Sequence, residues 1–161
     1  VRAALVVMGS GGHALLDRIA GDEVAIDVVR HTDVPVLVVA HGAEPAPFRT
    51  AVVGMDFSAA SVRAADTAAR LLRGSGGAGA TLVLVHVRPP LPERTPASGA
   101  DPSSPGSALA HRVERLRELL RPSTGDTVAV ELRLVAGGIV EELLRVADAV
   151  HADLVAVGTH G

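Results

Sequence analysis

The sequence predicts an α/β fold: a doubly wound parallel sheet with helices on both faces. Short continuous apolar runs, rich in Val and Leu, alternate with longer segments whose apolar residues recur every three or four positions. The runs lack inside–outside alternation, as expected of strands covered on both faces. Glycine- and proline-rich turns separate them, so each strand–helix–strand unit reads as a right-handed parallel crossover.

Ala3 to Met8 reads as a buried strand running into the turn Gly9-Ser10-Gly11-Gly12. Glu23 to His31 has helical character, although Val24, Ile26, Val28 and Val29 are weak helix formers, and Pro35 stops it. Val36 to Ala40 is the next strand, expected to be covered on both faces, and His41 to Phe48 is a connector carrying Pro45 and Pro47. A longer unit then opens with the strand Thr50 to Asp56. Ser58 can cap a helix from Ala59 to Arg73 whose apolar stripe is Val62, Ala65, Ala69 and Leu72. Gly74 to Gly79 ends that helix, and Thr81 to Val87 is the following strand. Leu109, Val113, Leu116 and Leu120 mark another helix, ended by Pro122, before the strand Val128 to Val135. Ile139, Leu143, Val146 and Val150 share one face of a helix that leads to the strand Asp153 to Val157. The long stretch Arg88 to Ser107, with Pro89, Pro90, Pro92, Pro96, Pro102 and Pro105, is expected to form a mobile flap.

Leu5 to Gly12 and Leu154 to Gly161 have the same pattern, an apolar strand followed by Gly-x-x-Gly. Their offset is constant, which predicts a repeat of about one domain length. Residues 1–41 are accordingly expected to be the C-terminal part of one copy, 42–49 a linker, and 50–161 a second copy running to its fourth strand.

Composition excludes several functions. Aromatics make up 1% of the 161 residues and the net charge is -3, so neither a base-stacking platform nor a phosphate-tracking surface for nucleic acid is expected. There is no Cys, and every basic residue apart from His is Arg; a thiolate centre, a P-loop lysine and a Schiff-base lysine are all ruled out. No apolar run reaches the roughly 20 residues of a membrane helix. A cytoplasmic location is the expectation.

Gly74-Ser75-Gly76-Gly77-Ala78-Gly79 matches the dinucleotide pattern G-x-G-x-x-G, but it follows a helix and enters a strand. That order cannot seat a pyrophosphate on a helix N-terminus, so it reads as a flexible loop. Asp56 stands where a strand passes into its helix, and Gly158 follows the end of another strand. If those two strands flank the point where strand order reverses, Asp56 and Gly158 face each other across one crevice. A carboxylate suited to hydroxyl or amino donors and a bare-backbone turn suited to phosphate together make a nucleotide site. His86 reads as a satisfied core or edge group, and His13, His41, His111, His151 and His160 show no metal-binding spacing. No G-x-S-x-G elbow and no nucleophile–base pair is present, so catalysis is not expected.

These residues resemble the universal stress protein family. Val52-Val53-Gly54-Met55-Asp56-Phe57-Ser58 is similar to its opening strand, Leu84-Val85-His86-Val87 to its second, and Asp153 to Gly161 to its fourth with the start of the nucleotide motif. Residues 1 to 40 resemble the tail of a preceding copy, with Pro35 to Val39 as fifth strand. The resemblance implies the adenine-nucleotide alpha hydrolase-like strand order 3-2-1-4-5 and binding of ATP or AMP, with or without Mg. Gly54, Asp56, Val87, Val157, Gly158 and Gly161 would then line the adenine, ribose and first phosphate contacts. The remainder of the phosphate loop would lie beyond Gly161.

In the first copy Met8, Gly9, Gly12 and Gly21 take the corresponding places, but Gly12 and Gly21 are one residue too close, and Asp22 stands where the family has a hydroxyl. A carboxylate there repels a polyphosphate, so that copy is not expected to bind ATP. The function implied is a nucleotide-binding regulatory module, with pairing of copies as a homodimer or in tandem through the fifth strand. A nucleotide-free dimerisation module is the alternative. Ser10-Gly11-Gly12-His13 is faintly similar to the loop of ATP pyrophosphatases, but His13 and Ala14 replace the Asp and Ser of that loop.

Overall fold

The computed structural model describes residues 3–9, 23–75, 79–88 and 105–159, which fall into two compact units, Val1–Ala46 and Pro47–Gly161. The first unit contains strand β1 (Val6–Gly9), helix α1 (Glu23–His31) and strand β2 (Val36–Val39). The strands pair in parallel, Val6 opposite Val36 through Gly9 opposite Val39. Ala3, Ala4 and Leu5 lie outside β1, and neither strand has the full cover expected of it: Val7 is 60% exposed, and Val38 and Val39 are each 37% exposed. A two-stranded sheet with one short helix has too little surface to enclose itself, and among its described residues only Ala25 is buried.

The second unit has the alternation the sequence predicts: β3 (Thr50–Gly54), α2 (Ala59–Gly74), β4 (Ala80–Arg88), α3 (Pro105–Thr124), β5 (Val128–Ala136), α4 (Ile139–Ala149) and β6 (Leu154–Ala156). All pairings are parallel, in the order β5-β4-β3-β6. Numbered within the unit this is 3-2-1-4; among the described residues no fifth strand joins the sheet, which is where it departs from the five-strand order. The reversal lies between β3 and β6: α2, which follows β3, and α4, which precedes β6, pack on opposite faces of the sheet.

Two apolar layers hold the sheet. On one face Ala65, Ala68, Ala69 and Leu72 of α2 and Leu116 and Leu120 of α3 pack on Ala51, Val53, Leu82 and Leu84. On the other, Leu143, Val146 and Ala147 of α4 cover Val52, Val83 and Val85. Full burial of each such Leu or Val is worth about 1.5–3 kcal/mol. The alanines of α2 bring the helix close to the sheet, and its buried face is centred on Ala65, Ala68, Ala69 and Leu72, with Val62 only half-buried.

Ser58 caps α2 as expected, its hydroxyl accepting the Ser61 N–H at 3.2 Å. Gly79 enters β4 at φ +86, a left-handed conformation that suits glycine, so the glycine-rich segment does join a helix to a strand; residues 76–78 lie outside the described residues. Pro122 does not end α3, which continues to Thr124. In the last turn its missing N–H costs one bond only. The turn is held by Gly125 N–H donating to the Arg121 carbonyl at 2.9 Å and Thr124 Oγ1 donating to that of Leu120 at 3.2 Å, while Arg73 donates to the Pro122 carbonyl at 2.8 Å. Of the expected flap, residues 89–104 lie outside the described residues, and Pro105 to Ser107 already belong to α3. Asp153 lies before β6 and binds the entry to β3: its Oδ2 accepts the N–H groups of Arg49 at 2.7 Å and Thr50 at 2.8 Å.

Candidate functional site

The C-terminal ends of β3, β4 and β6 converge beside the first turns of α2 and α4. Met55, one residue past β3, is buried and still donates its N–H to the Val85 carbonyl at 2.8 Å, so the strand ladder fixes the point from which the chain leaves the sheet. The chain then turns. Asp56 Oδ1 accepts the Ser58 N–H at 2.9 Å, an Asx-type turn, and Phe57 takes φ +65 before Ser58 starts the helix. The Ser58 hydroxyl, then the Ser61 hydroxyl and the Ser58 backbone N–H, lower the Asp56 carboxyl from its usual 3.8 to about 2. Asp56 is therefore an exposed, fully ionised acceptor at neutral pH.

Gly158 reaches the same place from β6. A Cβ there would lie 2.5 Å from the Ala60 carbonyl carbon and 2.6 Å from the Ser61 nitrogen. Glycine thus lets the turn after β6 touch the backbone of the α2 N-terminus. Gly54 is less constrained, since a Cβ would meet only the side chains of Leu143 at 3.3 Å and Val157 at 3.5 Å.

Between these turns is a crevice of about 200 Å³. Val85, Val87, Ile139, Leu143 and Val157 give it apolar walls; Gly54, Met55 and Gly158 contribute backbone; Asp56, Ser61 and His86 are its polar side chains. Asp56 and Gly158 do line one cleft at the strand-order reversal. Gly54, Val87 and Val157 join them. Gly161 lies outside the described residues, as do Gly12 and Gly21; Met8 and Gly9 belong to β1 of the first unit.

Six lining residues are not among those expected at the site: Met55, Val85 and Leu143, which the core accounts for, and Ser61, Ile139 and His86. Ser61 is buried, its hydroxyl within hydrogen-bonding distance of the Ser58 carbonyl at 3.1 Å and the Met55 sulfur at 3.4 Å. Ile139, expected on the packed face of its helix, is 67% exposed and forms part of the crevice wall. His86 is half-buried and satisfied at one nitrogen, 2.7 Å from the Met55 carbonyl, yet it also lines the crevice. Its place next to Val87, near the end of a strand, is the signal that could have found it. The His86 ring lies 5.2 Å from that of Phe57 at 57°, and the Arg112 guanidinium sits 4.6 Å above the Phe57 ring. Among the described residues no cluster of three or more metal-ligating side chains occurs, and no helix is long and apolar enough to cross a membrane.

The universal stress protein family model matches residues 1–40 and 47–161. A solved universal stress protein in complex with cAMP is 27% identical, with 70% of this chain and 77% of that chain covered at a TM-score of 0.54. A protein from Mycobacterium tuberculosis is 27% identical over 74% of this chain and 76% of its own, TM-score 0.51. A universal stress protein from Archaeoglobus fulgidus shares the fold at 19% identity and TM-score 0.63, covering 94% of this chain and 49% of that one. No curated protein matches by sequence.

Proposed function

The chain belongs to the universal stress protein family, and on that premise we propose that the crevice of its second unit binds an adenine nucleotide, ATP or AMP, with or without Mg²⁺ on the phosphates. One observation carries the reading: an ionised carboxylate and a side-chain-free turn flank a single apolar cleft at the strand-order reversal. The cAMP complex of a similar protein supports the ligand class.

The residues suit such a ligand. Apolar walls from Val87, Ile139, Leu143 and Val157 take a purine ring, and Asp56 accepts from ribose hydroxyls. Asp56 repels phosphate, so the phosphates run from the ribose toward Gly158 and Thr159. Among the described residues no hydrogen-bonded nucleophile–base pair lines the crevice, and the role proposed is regulation by binding in the cytoplasm, without turnover. Residues 1–41 and 50–161 are read as parts of two successive copies, a reading supported by their matching strand-and-glycine patterns and by two separate compact units. Copies would pair through the fifth strand, of which β2 is the first copy's example.

Calorimetric titration of the full chain with ATP, AMP and cAMP tests the proposal. Saturable binding of at least one is expected, reduced by about tenfold or more in Asp56→Ala, which loses charge-assisted hydrogen bonds to the ribose. Absence of saturable binding to the wild-type chain would leave a nucleotide-free interaction module as the reading.

A further inference from the structure

We propose that His86 is a direct hydrogen-bonding contact for the ligand, reading a donor group through Nε2; the inference rests on the nucleotide reading above. A backbone carbonyl can only accept, so the 2.7 Å contact to the Met55 oxygen requires the proton on Nδ1. In the neutral ring Nε2 is then an acceptor. Among the described residues Nε2 makes no hydrogen bond, although the ring is half-buried and forms part of the crevice wall. The half-buried ring leaves Nε2 open to the cleft, where a ligand can take the place of solvent at that atom.

The ring is also held in place. Met55 is buried and locked to Val85 through its N–H, which fixes the carbonyl that holds Nδ1. Phe57 packs beside the imidazole under the Arg112 guanidinium. Tautomer and orientation are therefore set before any ligand arrives, as in a preorganised contact. Of the other polar side chains in the crevice, Ser61 is buried with its hydroxyl engaged by the Ser58 carbonyl, the Met55 sulfur and the Asp56 carboxylate, and Asp56 only accepts. The cleft thus presents two acceptors, Asp56 and His86, and selects a ligand carrying hydrogen-bond donors in two places. In an adenosine nucleotide these are the ribose hydroxyls and the exocyclic amine.

The test pairs protein variants with ligand analogues. In His86→Asn the amide NH₂ occupies roughly the Nδ1 position, so the Met55 carbonyl keeps a donor while the Nε2 acceptor is removed. With the full chain at about pH 8, above the usual imidazole range, His86→Asn should keep the wild-type melting temperature and bind AMP about 5–10-fold more weakly, the loss of one hydrogen bond. Deoxy-AMP and purine riboside monophosphate, which lack a ribose hydroxyl and the amine respectively, identify the donor. The analogue missing it should lose the same factor on wild type and nothing further on His86→Asn.

Nitrogen-15 NMR of labelled histidine in the wild-type chain serves if the variant does not fold. AMP should shift His86 Nε2 and leave Nδ1 nearly unmoved. Equal AMP affinity in wild type and a folded His86→Asn, or an unmoved Nε2 resonance at saturating AMP, would overturn the assignment while leaving nucleotide binding intact. Failure of the wild-type chain to bind AMP or ATP would remove both readings together.

Discussion

Replacing Gly158 by Ala should be far more damaging than its one added methyl group suggests. The new Cβ would stand 2.5, 2.6 and 2.7 Å from three backbone atoms of Ala60 and Ser61, roughly 1 Å inside ordinary contact. Those atoms belong to the first turn of α2, which is anchored by the Ser58 cap and by buried Ala65, Ala69 and Leu72, so they cannot yield as a flexible side chain would. Either β6 withdraws from the sheet or α2 shifts along it. Overpacking of this kind costs about 1–3 kcal/mol, and rigid backbone neighbours put this case near about 3. Chemical denaturation followed by circular dichroism reads the loss directly, and a fall in melting temperature of roughly 10 °C should accompany it. Gly54→Ala is the control. Its Cβ meets the side chains of Leu143 and Val157 at 3.3 and 3.5 Å, which can give by a few tenths of an ångström, so the cost should stay below about 1 kcal/mol. Equal stability of Gly158→Ala and wild type would refute the close approach of the β6 turn to α2, and with it the geometry of the crevice.

Substitutions at four other positions probe the second unit. Asp153→Ala removes the acceptor for two backbone N–H groups at the start of β3, and should cost about 1–2 kcal/mol by urea titration, with Asp153→Asn recovering part of it. Ser58→Ala should lower stability by about 1 kcal/mol through loss of the α2 cap, and raise the Asp56 pKa measured by carboxyl carbon NMR because its largest stabiliser is gone. The Asp56 carboxyl is lowered on folding, so its ionised form stabilises the fold above the ordinary value of 3.8; that contribution fades as pH falls through about 2, and Asp56→Asn should flatten this part of the acid limb. Leu72→Ala, at a fully buried site on α2, should cost about 3 kcal/mol in the same titration, and a value under about 1 would contradict the packing of α2 on the sheet.

Local signals were legible in the sequence. Ser58 before an apolar stripe starts α2, and Gly74 after the stripe is its last residue, capped by Ser75; these ends are legible because capping and periodicity act within a few residues of one another. The unbroken Val and Leu runs implied strands covered on both faces, and this holds for β3 and the centre of β4. In the first unit the same kind of run stays half-exposed, because the cover of a strand comes from other elements and a run cannot carry that information. The alternation of strands and helices implies a strand-order reversal, but only the observed order β5-β4-β3-β6 places it between β3 and β6 and so brings Asp56 to Gly158.

Long-range contact decided the rest. Pro122 is tolerated because its carbonyl receives Arg73 from another helix and the final turn finds its own bonds. Asp153 lies ahead of its strand because two N–H groups at the entry to β3 draw its carboxylate. Gly158 has to be glycine because the helix N-terminus of a distant segment lies against it. His86 faces the crevice because the Met55 carbonyl takes one of its nitrogens and Phe57 supports its ring. Sequence spacing fixes which residues can share a helix face or a strand, whereas atoms a few ångströms apart across separate elements are brought together only by register and packing.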